Sequence, residues 1–376
     1  MTLPGDRALV VEVEQTHPMP LCGNFRCEAG ELLALVGPSG AGKTSMLRML
    51  AGLMRPARGR VQVGADLWCD TTQNLFMPAP RRHVGLVFQD YALMPHLSAL
   101  GNVALSLLHL PPAERERKAR AWLEHVRLDV DQQLRRPAEL SGGQQQRVAV
   151  ARALAREPRV LLLDEPFSAV DQMNRQSLYQ LLADLRRELD IPIVLVTHDL
   201  QEASLLADRL VVMDAGQVLQ QGPPATIHRS PRNARVADLV GMHNRFQGEW
   251  LGPSGRPGWG LLRWSGEGLG AACVRVLEVR DKGKIATGQT VHWVMPGDGI
   301  ALLDHAASAD NEFKVMVSEA RHLGEITLAT FAFSELPGTC LRLTLTGPQR
   351  LRITTGEHLA VRLDLALVHV MPLRPQ

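Results

Sequence analysis

The chain has 376 residues, which is more than one typical domain contains and predicts two or three domains. Its 41 basic and 39 acidic residues are interspersed, and the formal net charge of +2 offers no electrostatic surface for nucleic acid. No apolar run approaches the roughly 18 residues that span a bilayer. Asp6, Arg7, Glu12 and Glu14 stand where a signal peptide would be apolar. We therefore expect a chain that stays in the cytosol unless a partner holds it at a membrane.

Five short apolar runs in the first 230 or so residues predict buried strands. Each run is nearly continuous in Val, Leu and Ile, which is typical of strands covered on both faces in a parallel α/β sheet. The runs cover Leu32 to Val36, Val84 to Phe88, Val160 to Leu163, Ile193 to Val196 and Leu210 to Met213.

Apolar residues at helical spacing predict helices around residues 46–53, 119–126 and 178–189. The second of these lies in a charge-rich stretch with no strand run near it. We therefore expect residues from about 95 to 150 to form a helical subdomain.

A glycine-rich motif stands between the first predicted strand and the first predicted helix. It fits the pattern G-x-x-x-x-G-K-[ST], and the strand before it and the helix after it are the context that a phosphate-binding loop requires. Its backbone N–H groups and the helix N-terminus would face phosphate oxygens. Lys43 would bridge the β- and γ-phosphates, and the Thr44 hydroxyl would coordinate Mg²⁺. The motif consists of Gly37, Pro38, Ser39, Gly40, Ala41, Gly42, Lys43 and Thr44.

Two acids end the apolar run at 160–163. Asp164 and Glu165 would lie at the carboxyl edge of the sheet, where ligands bind in open α/β folds. In phosphoryl transfer the protein mainly positions groups and neutralises charge. We therefore assign Asp164 to Mg²⁺ and Glu165 to the attacking water.

The stretch LSGGQ, from Leu140 to Gln144, lies between the phosphate loop and the two acids. Gln89 follows VGLVF, the segment Ser168 to Asp171 follows the acids, and His198 follows IVLVT. This combination resembles the ATP-binding domain of ABC transporters over about residues 8 to 230. The resemblance implies a P-loop NTPase core of the RecA-like kind with ATP and Mg²⁺ as ligands.

The resemblance also implies a homodimer with two ATP molecules at its interface. The phosphate loop of one copy would face the signature residues of the other, whose helix start would supply N–H donors to the γ-phosphate. Hydrolysis would remove this contact and reopen the dimer. The signature residues are Ser141, Gly142, Gly143 and Gln144.

The remaining family roles fall on single residues. Gln89 would sense the γ-phosphate, join Thr44 and Asp164 at Mg²⁺, and link the core to the helical subdomain. His198 would hold the water and Glu165 in place, and Asp171 would carry information across the dimer interface. The family's aromatic residue that stacks on adenine has no Tyr or Trp equivalent in the N-terminal segment.

The chain changes character after residue 232, which divides it into predicted domains 1–232 and 233–376. Alternating apolar residues, frequent Gly and Pro, and short spacing predict antiparallel strands in one or two small barrels. The alternation is seen at Leu341, Leu343 and Leu345, at Val361, Leu363, Leu365 and Leu367, and at Ile326, Leu328 and Thr330. Residues 318–331 and 356–372 resemble the TOBE-type (OB-like) barrel extension of importer ATPase subunits.

These resemblances imply an importer engine that works at the cytoplasmic face of the plasma membrane with a separate permease, and indirectly with an extracytoplasmic solute-binding protein. We expect the permease to contact the chain near Gln89 and residues 90–110, with Tyr91, Leu93, Met94 and Leu97 exposed or lining a groove; packing within the helical subdomain is the alternative role of these four residues. The insert before Gln89 favours an inorganic oxyanion such as molybdate, while sulfate, polyamine and iron(III) remain open. A DNA-repair or translation-factor ATPase is less favoured, because no coiled-coil insert, zinc module or second cassette is present.

Overall fold

The computed structural model describes residues 7–168, 170–265, 274–303 and 309–373. Asp6, in the N-terminal segment, and Ala169, in the segment Ser168 to Asp171, lie outside the described residues. The chain divides into two compact units, the first ending at Pro224 and the second beginning at Ala225.

The first unit is built on an eleven-stranded sheet with the order β6-β5-β4-β1-β2-β11-β10-β3-β9-β8-β7. Its strands are β1 (Leu9–Gln15), β2 (Leu21–Cys27), β3 (Leu32–Val36), β4 (Arg58–Val63), β5 (Asp66–Asp70), β6 (Leu75–Phe76), β7 (Val84–Val87), β8 (Val160–Asp164), β9 (Ile193–Thr197), β10 (Arg209–Asp214) and β11 (Gln217–Gly222).

The five predicted apolar runs all form strands, and they make up the parallel half of this sheet. β7, β8, β9, β3 and β10 are neighbours in that order and run parallel. Every residue of β3, β8 and β9 is buried, which is why these strands read as continuous apolar sequence. The prediction of a parallel α/β core is confirmed.

The other half of the sheet is antiparallel, and our prediction missed it. β1 pairs with both β2 and β4, and β5 pairs with β4 and β6, in antiparallel registers. β1 and β2 alternate between buried and exposed residues, so they lack the continuous apolar signature that marks the parallel strands.

Helices of the first unit lie between these strands. They are α1 (Lys43–Leu50), α2 (Ala99–Leu105), α3 (Pro112–His125), α4 (Val130–Leu134), α5 (Gly142–Leu154), α6 (Gln172–Glu188) and α7 (Leu200–Leu206). Three predicted helix ends were too long by a few residues, because Leu53 lies beyond α1 and Val126 and Leu189 occupy the C-cap positions of α3 and α6.

α8 (Pro224–Arg229) begins at the last residue of the first unit, and the second unit continues with α9 (Ala234–Leu239) and two five-stranded sheets. Their orders are β14-β13-β12-β15-β21 and β16-β20-β17-β18-β19, and all described pairings are antiparallel. The strands are β12 (Arg245–Pro253), β13 (Trp259–Ser265), β14 (Val274–Arg280), β15 (Thr290–Val294), β16 (Ile300–Leu303), β17 (Glu312–Leu323), β18 (Ile326–Phe333), β19 (Cys340–Thr346), β20 (His358–Leu363) and β21 (His369–Pro372).

One apolar core joins the two sheets of the second unit. Trp264 lies at its centre, within 4.8 to 5.5 Å (ring centroids) of Phe246, Trp293, Phe313 and Phe333. Edge-to-face and tilted contacts of this kind stabilise a core beyond the area that they bury.

Two predictions in this unit were wrong. β18 buries Thr327, Ala329, Phe331 and Phe333, so the face carrying Ile326, Leu328 and Thr330 is the outer one. The strand after Val361 ends at Leu363, and Leu365–Leu367 is a short 3-10 turn whose N-cap is Asp364. In both places the apolar alternation of the sequence is not a guide to the core. Strand register decides which face of β18 is buried, and a turn ends the strand at Leu363.

Candidate functional site

The loop between β3 and α1 has the conformation that its glycines allow. Gly37 has a φ of +154°, and a side chain there would place its Cβ 2.1 Å from the Met213 carbonyl oxygen. Gly42, with a φ of +94°, is the N-cap of α1. Both positions need a residue without a Cβ. The loop therefore turns sharply and leads directly into the positive end of the α1 dipole.

Lys43 begins α1 and is buried, with only 5% of its surface exposed. Its ammonium donates hydrogen bonds to the carbonyl oxygens of Gly37, at 2.8 Å, and Pro38, at 3.0 Å. Burial lowers the pKa of Lys43, while the nearby carboxylates of Glu165 and Asp164 raise it in part. A desolvated ammonium held only by carbonyl oxygens is prepared to bind an anion at the loop.

Thr44 and Asp164 meet beside Lys43. The Thr44 hydroxyl donates a hydrogen bond of 3.2 Å to Oδ1 of Asp164, which is buried at the end of β8. Burial raises the pKa of Asp164, and the Thr44 hydrogen bond opposes that shift. Hydroxyl and carboxylate oxygens are the hard ligands that Mg²⁺ prefers. These two side chains therefore fit a magnesium ion that would also compensate the buried charge.

Glu165 lies one residue further, in a sharp turn. Its φ of +44° is in the left-handed region that residues with a Cβ rarely adopt, and its amide donates to the Val196 carbonyl oxygen at 2.9 Å. This turn brings Oε2 of Glu165 within 3.2 Å of Nδ1 of His198, which follows β9. His198 is 60% exposed and Glu165 is 20% exposed, so the pair faces solvent.

Gln89 lies at the same edge of the sheet. β7 and β8 run parallel with Val87 opposite Leu163, so the turn after β7 lies beside the turn after β8. Gln89 is in that turn and is exposed. The structure thus places Lys43, Thr44, Asp164, Glu165, His198 and Gln89 along one edge of the sheet.

The LSGGQ segment forms the start of α5. Ser141 is its N-cap: the Ser141 hydroxyl accepts from the Gln144 amide, and the Gln144 side chain accepts from the Ser141 amide at 2.9 Å. This capping box fixes the helix start, while Ser141 is exposed. The start of α5 also packs closely against the start of α6. A Cβ on Gly143 would lie 3.4 Å from Cβ of Asn174, which is hydrogen-bonded to the α6 N-cap residue Asp171.

The two groups of predicted binding residues lie on different elements. α1, which carries Lys43 and Thr44, contacts β8 and β9, whereas α5, which follows Ser141, contacts α2, α3, α6 and β7. The phosphate loop and the LSGGQ segment therefore lead into helices with different neighbours.

The turn between β1 and β2 approaches the phosphate loop. The Ser45 hydroxyl lies 3.1 Å from Sδ of Met19, and a Cβ on Gly42 would lie 3.5 Å from Cε of Met19. His17 is exposed in this turn, whereas Phe25 is buried in the core. Phe25 is therefore excluded as a base-stacking residue. The position of Met19 beside the phosphate loop was not predicted from the sequence, because no motif marks a methionine in a turn.

The expected exposure holds for Met94 but not for Tyr91. Tyr91 is buried, with 4% exposed, because its backbone and that of Ala92 adopt left-handed conformations and their carbonyl oxygens accept hydrogen bonds from Arg152 on α5. Met94 is exposed, as is Phe88. Phe88, just before Gln89, and Met94, five positions after it, are therefore the exposed apolar residues around Gln89, and the amide of buried Tyr91 donates to the Phe88 carbonyl oxygen at 2.9 Å.

Residues 23–168 match the family model described as ABC transporter. The "Fe(3+) ions import ATP-binding protein FbpC 1" of Rhizobium meliloti (strain 1021) is 48% identical over 219 residues, which is 58% of this chain and 60% of the relative. The "Sulfate/thiosulfate import ATP-binding protein CysA" of Bradyrhizobium diazoefficiens is 45% identical over 226 residues, 58% of this chain and 63% of the relative. The chain thus spans less than two thirds of either curated relative.

A solved structure agrees with the fold of the first unit. It is cbiO1 from Clostridium perfringens, described as part of the ABC transporter complex cbiONQ. It is 28% identical, with a TM-score of 0.53 and coverage of 62% of this chain and 95% of that one. Within the described residues, no helix combines the length and the apolar character that crossing a bilayer requires.

Proposed function

We propose that this chain, whose residues 23–168 match the family model described as ABC transporter, is the ATP-binding and ATP-hydrolysing subunit of an ABC importer. The observation that carries this proposal is the meeting of a phosphate loop, an acid beside a hydroxyl, and an acid beside a histidine at one edge of a parallel sheet. That set contains a group for each task in nucleotide hydrolysis.

Binding of ATP begins at the phosphate loop. The N–H groups around Gly40 to Lys43 and the positive end of α1 attract the phosphates. Lys43 exchanges its bonds to two carbonyl oxygens for bonds to phosphate oxygens, which is favourable because its charge is then matched. Thr44 and Asp164, with Gln89 at the same edge, hold Mg²⁺, which when bound neutralises charge on the phosphates.

Hydrolysis needs a water aligned with the γ-phosphate. The Glu165 carboxylate accepts a hydrogen bond from that water and orients it for attack. His198 fixes the Glu165 carboxylate through the contact between Nδ1 and Oε2, and its exposed ring donates to the γ-phosphate. Without the contact to His198, the carboxylate of Glu165, which lies in a turn, could rotate away from the water.

The proposed working form is a head-to-tail homodimer. The start of α5, with Ser141 exposed at its N-cap, offers a helix dipole and the N–H groups of Gly142 and Gly143, which the capping box does not engage and which would complete the phosphate site of the second copy. The capping box keeps Ser141 oriented before the partner arrives, which lowers the ordering cost of binding. ATP then joins the two copies, and its hydrolysis releases them.

Transport requires a separate permease, because the proposed engine itself works outside the bilayer. We propose that the exposed apolar residues Phe88 and Met94, which stand before and after Gln89 in the chain, contact this permease at the cytoplasmic face of the membrane. Their position links the γ-phosphate sensor to the partner. The extracytoplasmic solute-binding protein would act through the permease.

The proposed solute class is an inorganic oxyanion such as molybdate. The insert before Gln89 favours this class, and the sulfate/thiosulfate name of one relative is consistent with it. Iron(III) is the second candidate, because the relative named for Fe(3+) import has the higher identity of the two. Polyamines are a third possibility. The second unit, with its two antiparallel sheets, is proposed as a TOBE-type extension.

The proposal is tested by phosphate release from ATP by the purified chain and by solute uptake in cells. We expect Mg²⁺-dependent hydrolysis that Lys43→Ala abolishes, and selective loss of labelled molybdate uptake in cells carrying that variant. Loss of ferric iron, sulfate or spermidine uptake would keep the importer and replace the solute. Absence of ATP hydrolysis by the wild-type chain would overturn the enzyme assignment.

A further inference from the structure

A buried carboxylate lies behind the hydrolytic edge and has no role in the steps above. Glu202 on α7 is 6% exposed. Its oxygens accept hydrogen bonds from the Tyr179 hydroxyl, at 3.2 Å, and from the Thr197 hydroxyl, at 2.7 Å, and Nη1 of Arg175 lies 3.7 Å away. Burying a carboxylate costs free energy, so a buried carboxylate is normally hydrogen-bonded and helps to position the residues that bind it.

One branch of this cluster leads to His198. Thr197 is the last residue of β9, and His198 follows it directly. The Thr197 hydroxyl accepts from the Asp199 amide at 3.0 Å while it donates to Glu202. Asp199 caps α7 and accepts from the Glu202 amide at 3.2 Å. The residues on both sides of His198 are therefore bound, directly or through one hydroxyl, to Glu202.

A second branch leads to Glu165. The ring of Tyr179, on α6, packs edge-on against Phe167, with centroids 4.8 Å apart at 82°. Phe167 is buried two positions after Glu165 and supports the turn in which Glu165 lies. Burial, with the nearby Glu202 carboxylate, raises the pKa of Tyr179 to about 12, so Tyr179 stays a hydrogen-bond donor at neutral pH.

A third branch leads to the segment before Asp171. Nη2 of Arg175 donates to the Val170 carbonyl oxygen at 3.2 Å, while Nη1 pairs with Glu202. Glu202 thus lies where the segments carrying Glu165, Asp171 and His198 converge.

We propose that Glu202 is a positioning residue that holds His198 against Glu165 by fixing the backbone on both sides of His198. This inference rests on the proposed ATP hydrolysis. The proposed role of Glu202 differs from nucleotide binding, because the nucleotide-binding residues Lys43 and Thr44 are on α1 and outside the Glu202 cluster. Loss of the Glu202 charge should therefore change the rate of hydrolysis and leave ATP binding unchanged.

The test compares Glu202→Gln with the wild-type full-length chain in steady-state hydrolysis. Glutamine keeps the size but cannot accept from both hydroxyls and loses the charge opposite Arg175. A small displacement of a catalytic group costs up to about 100-fold in rate, and we expect kcat to fall about 10- to 100-fold while KM for ATP stays within about twofold. Gln201→Ala, an exposed neighbour on α7, is the matched control and should keep the wild-type kcat.

Two further variants separate positioning from general damage. Thr197→Val removes the hydroxyl and should match Glu202→Gln, whereas Thr197→Ser restores the hydroxyl and should recover most of the rate. In a His198→Ala background, Glu202→Gln should cost less than about twofold more, because residues acting through one another are not additive. A general folding defect would lower the rate in both backgrounds and would lower ATP affinity as well.

The outcomes are distinguishable. If the wild-type chain hydrolyses no ATP, the proposed function fails and this inference fails with it. If the wild-type chain is active and Glu202→Gln keeps kcat within about twofold, or loses the same factor with and without His198, only the inference about Glu202 is overturned.

Discussion

Glu165 and His198 are 33 positions apart in the chain, yet Oε2 of one lies 3.2 Å from Nδ1 of the other. Their strands, β8 and β9, are parallel neighbours with Asp164 opposite Val196, so both chains leave the sheet at the same height. The left-handed turn at Glu165 then directs its side chain toward His198. The two neighbouring carboxylates therefore have separate roles. Glu165 contacts His198 and orients the water, whereas Asp164 is hydrogen-bonded to Thr44.

Glu165→Gln tests that separation. Glutamine keeps the shape but cannot act as a base, and general-base contributions are about 10² to 10⁴-fold in rate. We expect hydrolysis to fall by at least about 100-fold while ATP affinity stays within about threefold. Light scattering with ATP should then show a persistent dimer. Turnover near the wild-type rate would contradict the role of Glu165.

Lys43→Met tests whether the buried ammonium serves the ligand or the fold. Because burial lowers the pKa of Lys43, the charged form is disfavoured in the folded protein, and this cost is present at every pH below the lowered value. Removing the charge should therefore leave the thermal midpoint of the ligand-free chain unchanged or higher. The rise in midpoint that ATP with Mg²⁺ causes in the wild type should disappear. A lower ligand-free midpoint with the ATP shift retained would contradict this account.

Arg82 should be required for stability. Its buried guanidinium donates to the carbonyl oxygens of Met49, at 2.7 Å, and Leu50, at 2.9 Å, at the end of α1, and to Met77, at 2.7 Å. Arg82→Met leaves the Leu50 and Met77 carbonyl oxygens without this donor, at about 1–3 kcal/mol each, while the Met49 carbonyl oxygen still accepts from the Gly52 amide at 3.1 Å. We expect a loss of about 3–5 kcal/mol in urea unfolding, against less than about 0.5 kcal/mol for Arg81→Ala, an exposed neighbour. Equal stability of the two variants would refute the assignment.

His369 predicts a pH-dependent stability of the second unit. Burial lowers the pKa of His369 to about 4, with a smaller effect of the Lys282 ammonium, which lies 3.0 Å from Nδ1. The unfolded chain, with an imidazole pKa near 6.5, therefore binds more protons between these values, and stability is lost as pH falls from about 6.5 toward 4. The loss between pH 7 and pH 5 should be about 2 kcal/mol.

The measurement is urea unfolding followed by tryptophan fluorescence, for the wild type and His369→Gln. Glutamine does not titrate, so the variant should lose this part of the pH dependence. If the two proteins show the same dependence between pH 7 and pH 5, His369 is not its source.

Much of the first unit could be predicted because its central strands are buried on both faces. Continuous apolar runs locate β3, β7, β8, β9 and β10 to within a residue or two, and the motifs that follow them fall at one sheet edge by topology alone. β1 and β2 were missed although their alternation was present in the sequence. β5 has an aspartate at each end and β6 has only two residues, so neither forms a recognisable apolar run.

The supporting residues could not be predicted at all. Glu202 and Arg82 owe their roles to contacts with residues 5 to 33 positions away, and the sequence around them shows only ordinary charges. The outer face of β18 was assigned to the core for a related reason. A one-residue shift in register exchanges the two faces of a strand, and only pairing with β17 and β19 fixes it.

The most direct test of the central claim mixes two inactive variants. Lys43→Ala lacks the phosphate-loop lysine, and Ser141→Arg obstructs the start of α5. A mixed dimer of the two keeps one intact site, formed by the phosphate loop of one copy and the signature residues of the other. We predict that each variant alone releases phosphate from ATP at less than about 1% of the wild-type rate. An equimolar mixture should recover about one quarter of the wild-type rate, since half of the dimers are mixed and each has one working site. A mixture as inactive as its components would contradict the shared site.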